Sequence, residues 1–355
     1  MNKSQQHKPN IAIIFGGRSG EYGVSLQSAT AVIKAIDTNK YQPILIGITR
    51  AGEWFRFNGD TDKIADDTWH NDNDCVHACI LPCRTIHGML DLDNHTPLRL
   101  DAAMPVMHGK YGEDGTVQGL LELAGIPIIG CTTMSSALCM DKVRSHSVVS
   151  AAGIDIPWGV VIDSPADIAA ALDQAAALRY PLFVKPVRAG SSLGVSCVRS
   201  QIELSQAVER AFKIDDQVII EEMVEGFEVG CAIMGKGNDS IIGEVDEIEL
   251  TGDFFDFTEK YTPETAQIHL PARLSEQTTA KVKQTALRIY KALGCSGFAR
   301  VDMFITPDEQ IVFNEVNTIP GFTSHSRYPR MMEAIGYSFA TLINHLIEMG
   351  VKQEC

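Results

Sequence analysis

The stretch from 297 to 329, GFARVDMFITPDEQIVFNEVNTIPGFTSHSRYP, gathers more unlike polar chemistry than any other part of the chain. Glu315 and Asn317 are two residues apart, and a strand's period of two sends both side chains to one face, where two oxygen donors can meet one cation. The run from Ala299 to Thr306 alternates as a strand, Pro307 to Gln310 reads as a turn, and Ile311 to Val316 resumes the strand, which predicts a hairpin. A four-residue loop, with Pro307 second in a turn that begins at Thr306, sets Asp302 opposite Glu315. Oxygen-only donors favour Mg²⁺ or Mn²⁺ over zinc, and such ions usually sit beside phosphates. Arg300 lies two before Asp302 on the same face, and a permanently charged fork beside carboxylates suits a site that binds or makes anions. In the loop that follows, Gly321 lets backbone N–H groups approach a ligand closely. Taken as isolated motifs, the same residues also fit the solvated face of an ordinary hairpin.

Strand and helix patterns supply the frame for these residues. Ile11 to Phe15 is an apolar run ending in Gly16-Gly17, and helical spacing begins at Val24, giving strand, glycine turn and helix. Glu21 stands near that helix N-terminus, where a carboxylate is favourable whether or not it binds anything. Tyr41 to Thr49 reads as a second strand, and Ala103 to Met107 as another that delivers His108 at its end. A helix from Thr116 to Ala124 and a strand from Pro127 to Ile129 follow, the alternation of an open α/β domain with ligands at strand carboxyl ends. Met134 to Ala151 is read as one helical stretch carrying Lys142. The strand Tyr180 to Lys185 leads into PVRAGSSLG, whose glycines and serines offer donors for phosphate oxygens beside Lys185. Val218 to Glu222 and Phe227 to Ile233 are further strands; Leu274 to Leu293 and Arg330 to Met349 read as helices. Asp253 to Pro271 is a long polar and aromatic loop of the kind that serves as a lid, with Lys260 and Tyr261 in its middle.

The whole chain has 355 residues, 45% of them hydrophobic and 21% charged, enough for two or three domains with their own cores. A net charge of -15 opposes attraction to a phosphate backbone, so no nucleic-acid partner is expected. The polar N-terminus and the lack of any long apolar run predict a cytoplasmic protein without a membrane span. The 9 cysteines are read as reduced thiols. Cys75, His77, Cys79 and Cys83 lie close together but step as C-x-x-x-C with no second half-site, so they carry no functional reading.

The motifs together resemble the ATP-grasp D-alanine:D-alanine ligases. The likeness rests on K-P-x-x-x-G-S-S-x-G from Lys185 to Gly194, E-E-x-x-x-G-x-E from Glu221 to Glu228, R-V-D with N-E-V-N, H-G-x-x-G-E-D-G from His108 to Gly115, S-A-L-C-M-D-K ending at Lys142, and P-G-F-T-S-H-S ending at Ser326. It implies a three-domain α/β ATP-grasp enzyme: an N-terminal open α/β substrate domain over 1–130, a central domain over 131–221 and a C-terminal catalytic domain over 222–355. It also implies ATP and two Mg²⁺ (or Mn²⁺) as cofactors, a homodimer, and a D,D-dipeptide product for peptidoglycan. Lys142, Lys185 and Lys260 would contact phosphates, with Ser192 in the phosphate loop. The backbone near Glu222 and Val224 would hold adenine, and Glu228 the ribose. Asp302, Glu315 and Asn317 would carry the metal. Glu21 looks like the partner of the first D-alanine's ammonium, with Ser191 and Tyr261 as company, while Arg300 and the Gly321 N–H would stabilise the oxyanion.

Ser326 is followed by Arg327, where D-alanine-forming ligases commonly have a small aliphatic residue. With Phe255 and Asp246, and with His108 on the same substrate, Arg327 makes the second-substrate region resemble the vancomycin-resistance ligases, most of all their D-alanine:D-serine branch. Lys260-Tyr261 argues against the D-lactate branch. A polar side chain can hydrogen-bond a serine hydroxyl, and a site built to do so discriminates against its absence. A housekeeping D-alanine:D-alanine ligase and a non-catalytic nucleotide-binding regulator on the same fold remain as alternative readings.

Overall fold

The computed structural model describes residues 8–71, 73–250 and 266–352. Among these, three sheets carry the fold. The first has the order β6-β5-β4-β3-β2-β1-β7, built from β1 (Asn10–Gly16), β2 (Gln42–Ile48), β3 (Trp54–Phe57), β4 (Cys75–Ile80), β5 (Gly88–Asp91), β6 (Thr96–Arg99) and β7 (Ala102–Val106). β1 pairs in parallel with β2 and β7, and Ile11 to Phe15 are fully buried, which is why that run is apolar without alternation. The remaining strands, β3 to β6, add in antiparallel fashion. Pro127 to Ile129 is not a full strand; a single parallel bridge joins Ala103 and Ile128.

The second sheet is antiparallel, in the order β10-β9-β11-β8, from β8 (Gly159–Ile162), β9 (Leu182–Pro186), β10 (Ser196–Val198) and β11 (Val218–Glu222). Apolar faces of the helices Ile168–Ala175 and Gln201–Ala211 cover it through Ala171, Ala175, Leu204 and Val208. The third sheet, β14-β13-β12-β15-β16, is also antiparallel: β12 (Phe227–Met234), β13 (Ile241–Leu250), β14 (Ala266–His269), β15 (Phe298–Ile305) and β16 (Ile311–Asn317). β14 falls inside the segment expected to be a loop, so its last part is sheet.

Two helices expected to be continuous are each broken. Thr133–Met140 and Lys142–Ala151 are separated at Asp141, whose carboxylate accepts the Arg144 N–H and caps the second helix. Arg327–Glu333 and Phe339–Val351 are separated at Gly336, which has φ 100. The final helices pack Tyr328, Met331 and Leu342 into the same core as Ile11, Ile13 and Phe15, so the end of the chain returns to the first sheet.

The β15–β16 hairpin places Asp302 opposite Glu315 and Arg300 opposite Asn317. Thr306 opens the turn and accepts the Glu309 N–H, with Pro307 second, as its fixed φ favours. The route to the register differs from the expected four-residue loop. Ile305 pairs with Ile311, so the loop is one residue longer, and a bulge at Asn314 then shifts the register back.

Candidate active site

Two cavities meet where the three sheets converge. One, of about 490 Å³, lies between the second and third sheets and is lined by Lys185, Ser192, Glu222, Val224 and Glu228. The other, of about 600 Å³, is lined by Glu21, Ser191, Arg300, Asn317, Gly321 and Arg327, with His108 and Ser326 also on its wall. Lys142, Ala189 and Glu315 line both.

In the first cavity, the β9 strand delivers Lys185 and the β11 strand delivers Glu221 beside it, with Nζ 2.6 Å from Oε2. Glu221 also faces His146, whose Nδ1 is 3.3 Å from Oε1 and whose Nε2 is 2.9 Å from the Asn314 carbonyl oxygen. Burial pushes the Glu221 carboxyl up, but the Lys185 and His146 charges outweigh it and hold it below its ordinary value. Lys142 is the first residue of its helix and donates to the Ala189 carbonyl at 2.7 Å, which ties it to the glycine-serine loop. Ser191 and Ser192 are both left-handed, at φ 50 and φ 57, an unusual conformation for L residues. The Glu222 side chain turns to Arg179, accepting its backbone N–H at 2.9 Å. Its own N–H serves the Trp158 carbonyl, and Glu222, Met223 and Val224 all line the cavity.

In the second cavity, Glu21 occupies the N-cap position of the helix Tyr22–Ala35 and accepts a hydrogen bond from the Ser191 hydroxyl. Two glycines approach it closely: a Cβ on Gly109 would stand 2.2 Å from Glu21 Oε2, and one on Gly190 would stand 3.1 Å away. His108 has both ring nitrogens engaged, by Ser28 and by the Ile319 carbonyl. The Ser326 hydroxyl closes onto Thr323, accepting its N–H at 3.1 Å.

Arg300 forks onto Asp302, donating from Nε to Oδ1 at 2.8 Å and from Nη2 to Oδ2 at 2.7 Å. Asn317 Nδ2 donates to the same Oδ2 at 2.8 Å, so the three side chains share one face of the hairpin. Asp302 lies behind the cavity wall, whereas Glu315 stands at the junction. Their oxygen donors fit a hard cation such as Mg²⁺. Among the described residues, no three His, Cys, Asp or Glu side chains gather as a metal centre, at Cys75 to Cys83 or elsewhere.

Asp246 does not reach the cavity. It sits behind Arg327, which donates from Nε to Oδ2 and from Nη2 to Oδ1, and a third contact joins Arg327 Nη1 to Glu228 at 3.1 Å. Phe255, Lys260 and Tyr261 lie outside the described residues. Sequence reasoning missed Glu221 and Glu113 as individuals, although both stood inside motifs it had quoted. It also missed His146 and Ser28, which carry no local signal.

Two family descriptions match the chain: D-ala D-ala ligase N-terminus over residues 10–131 and D-ala D-ala ligase C-terminus over residues 148–348. The chain belongs to the D-alanine:D-alanine ligase family. It is an ATP-dependent D-amino acid ligase with the α/β ATP-grasp fold, in a family that also uses a divalent metal. It is similar to the crystal structure of the VanG D-Ala:D-Ser ligase from Enterococcus faecalis, with 52% identity, 97% of this chain and 99% of that one covered, and a TM-score of 0.90. The vancomycin/teicoplanin A-type resistance protein VanA of Enterococcus faecium is 45% identical, covering 96% of this chain and 98% of its own length. A putative D-alanine–D-lactate ligase of Streptomyces coelicolor is 44% identical, covering 96% and 97% respectively. Substrates in the ligase family are D-amino acids or D-lactate. No described helix is long and apolar enough to cross a membrane.

Proposed function

We propose that this ligase joins D-alanine to a second D-amino acid, D-serine in preference to D-alanine, for a peptidoglycan precursor that supports vancomycin resistance. The observation that carries the reaction is the meeting of the two cavities at Lys142, Ala189 and Glu315. A nucleotide in the first cavity would present its γ-phosphoryl group there to a D-alanine carboxylate in the second.

A carboxylate is a poor electrophile. Transfer of the γ-phosphoryl group to it gives an acyl phosphate and ADP, and the amine of the second substrate then attacks the acyl carbon. Phosphate leaves with the electrons of the C–O bond, and the amine loses a proton as the amide forms. Lys142 and Lys185, with Lys260, offset charge on the phosphates, while Ser192 and the backbone near Glu222 and Val224 hold the nucleotide and Glu228 the ribose. Glu21, Ser191 and Tyr261 hold the first ammonium. Arg300 and the Gly321 N–H face the developing oxyanion, with Ser326 beside them. Asp302, Glu315 and Asn317 would hold two Mg²⁺ (or Mn²⁺), which when bound neutralise charge on the transferring group.

The 52% identity to a D-Ala:D-Ser ligase supports D-serine. Arg327 lines the substrate cavity, and its pairing with Asp246 makes it a fixed polar wall for a hydroxyl to meet. We also assign the substrate, central and catalytic domains to 1–130, 131–221 and 222–355, and a homodimer as the working form, which sedimentation would test.

The deciding experiment incubates the protein with Mg²⁺, ATP and D-alanine, with and without D-serine or D-lactate, and identifies products by mass spectrometry. D-alanyl-D-serine as the main product supports the reading. D-alanyl-D-alanine or D-alanyl-D-lactate as the main product overturns the second-substrate assignment. Tight ATP binding without any product overturns the proposed pair of substrates.

A further inference from the structure

Ile319 has both of its backbone polar groups held by side chains from the opposite end of the chain. Its N–H donates to Glu113 Oε1 at 3.0 Å, and its carbonyl oxygen accepts from His108 Nδ1 at 2.9 Å. Backbone groups are ordinarily satisfied by nearby backbone, so a double capture by side chains is a specific arrangement. Three residues later, the Phe322 N–H donates to Ser28 Oγ at 3.3 Å. Ser28 Oγ is also 3.1 Å from His108 Nε2, and the other Glu113 oxygen accepts the Gly109 N–H at 2.9 Å.

These contacts agree on one set of proton positions. A carbonyl can only accept, so His108 carries a proton on Nδ1, and Nε2 can accept from the Ser28 hydroxyl while that oxygen accepts from Phe322. Every donor meets an acceptor with the imidazole neutral, and burial lowers the His108 pKa in the same direction. Between the two pinned residues stand only Pro320, whose φ is fixed, and Gly321. The orientation of the Gly321 N–H is therefore set from both sides.

We propose that Glu113, with His108 and Ser28, is a positioning latch: side chains of the first sheet's domain grip the backbone of Ile319 and Phe322 and so aim the Gly321 N–H and place Asn317. The inference rests on the roles given above to Gly321 and Asn317. None of the three latch residues lines the nucleotide cavity. Loosening the latch therefore slows the chemistry without weakening ATP binding. A merely structural contact would instead move stability and all kinetic constants together.

The test uses the full chain carrying Glu113→Gln, whose amide N–H₂ opposes one of the two N–H groups that the two carboxyl oxygens accept. Turnover should fall by about tenfold or more, as small misplacements of reacting groups do, with KM for ATP unchanged. Unchanged turnover, or turnover and ATP KM worsening together with the melting temperature, overturns the latch. If Glu113→Gln does not fold, Ser28→Ala takes its place; losing that one contact should cost about fivefold in kcat with the same split, and no loss overturns the proposal. Asn317→Ala is measured in parallel. Full activity in Asn317→Ala defeats the underlying reading of the loop, whereas an inactive Asn317→Ala beside an unaffected Glu113→Gln defeats the latch alone.

Discussion

Arg327 forks onto Asp246, with Nε 2.8 Å from Oδ2 and Nη2 2.7 Å from Oδ1; Asp246 is buried and Arg327 nearly so. Asp246 also accepts the Gly230 N–H at 3.0 Å, so its charge is fully engaged inside the protein. Replacing the arginine alone strands that carboxylate. Arg327→Leu should therefore lose about 3–5 kcal/mol of stability, the usual cost of breaking a buried pair from one side. Asp246→Asn added to Arg327→Leu should recover much of it, because the amide oxygen still accepts from Gly230. Chemical denaturation of the two variants checks this, and an Arg327→Leu protein as stable as the parent would show that the pair is not structural. Second-substrate selectivity is best compared in the double variant, where a shift from D-serine toward D-alanine is expected.

The same fork depends on the absence of a side chain at Gly230. A Cβ there would stand 2.4 Å from Arg327 Nη2 and 2.7 Å from Asp246 Oδ1. Gly230→Ala should push the guanidinium aside at a cost of about 1–3 kcal/mol, typical of overpacking. Steady-state kinetics should then show a higher KM for the second substrate and an unaltered KM for ATP. Equal rises in both would point to general loosening of the third sheet instead.

Arg300→Ala should cut turnover by about 10²- to 10³-fold, the scale expected when an oxyanion donor is removed, while ADP or ATP binding persists. Arg300 lines the substrate cavity but not the nucleotide cavity. Its loss would leave the Asp302 carboxylate with Asn317 as a close donor and Arg327 Nη2 at 3.7 Å. Calorimetric nucleotide titration beside a dipeptide assay separates the two effects, and unchanged turnover would remove Arg300 from the chemistry.

The hairpin was legible because alternation and turn chemistry are local. The pairing of Asp302 with Glu315 follows from a strand's period of two and a proline in its preferred turn position. The bulge at Asn314 was not legible, since no residue in Ile311–Asn317 marks which position stands out of the ladder. It happens to compensate for the longer loop. The break at Asp141 did carry a signal, an N-cap residue type, but the helical pattern on both sides concealed it. Contacts such as Glu113 with Ile319, 206 residues apart, leave no local trace. They arise only when the last helices pack back onto the first sheet, so motif reading found Glu113's segment without finding its partner.

Glu113 also gives a pH signature. Burial, and after it the charge of Glu21, push its carboxyl up to about 8. An acid whose folded pKa is raised favours the folded state fully below its unfolded pKa, and that contribution is lost as pH rises through the folded value. Glu113→Gln removes the titration, and the cost of opposing one of the two N–H groups is the same at every pH. The advantage of the parent over the variant in melting temperature should therefore be largest near about pH 5 and shrink as the pH approaches about 8, the interval between the ordinary carboxylate range and the raised value. A difference that stays flat across that interval would mean that Glu113 titrates normally in the folded protein. A difference that grows with pH would mean that the two N–H donors from Gly109 and Ile319 outweigh burial and hold the carboxylate charged.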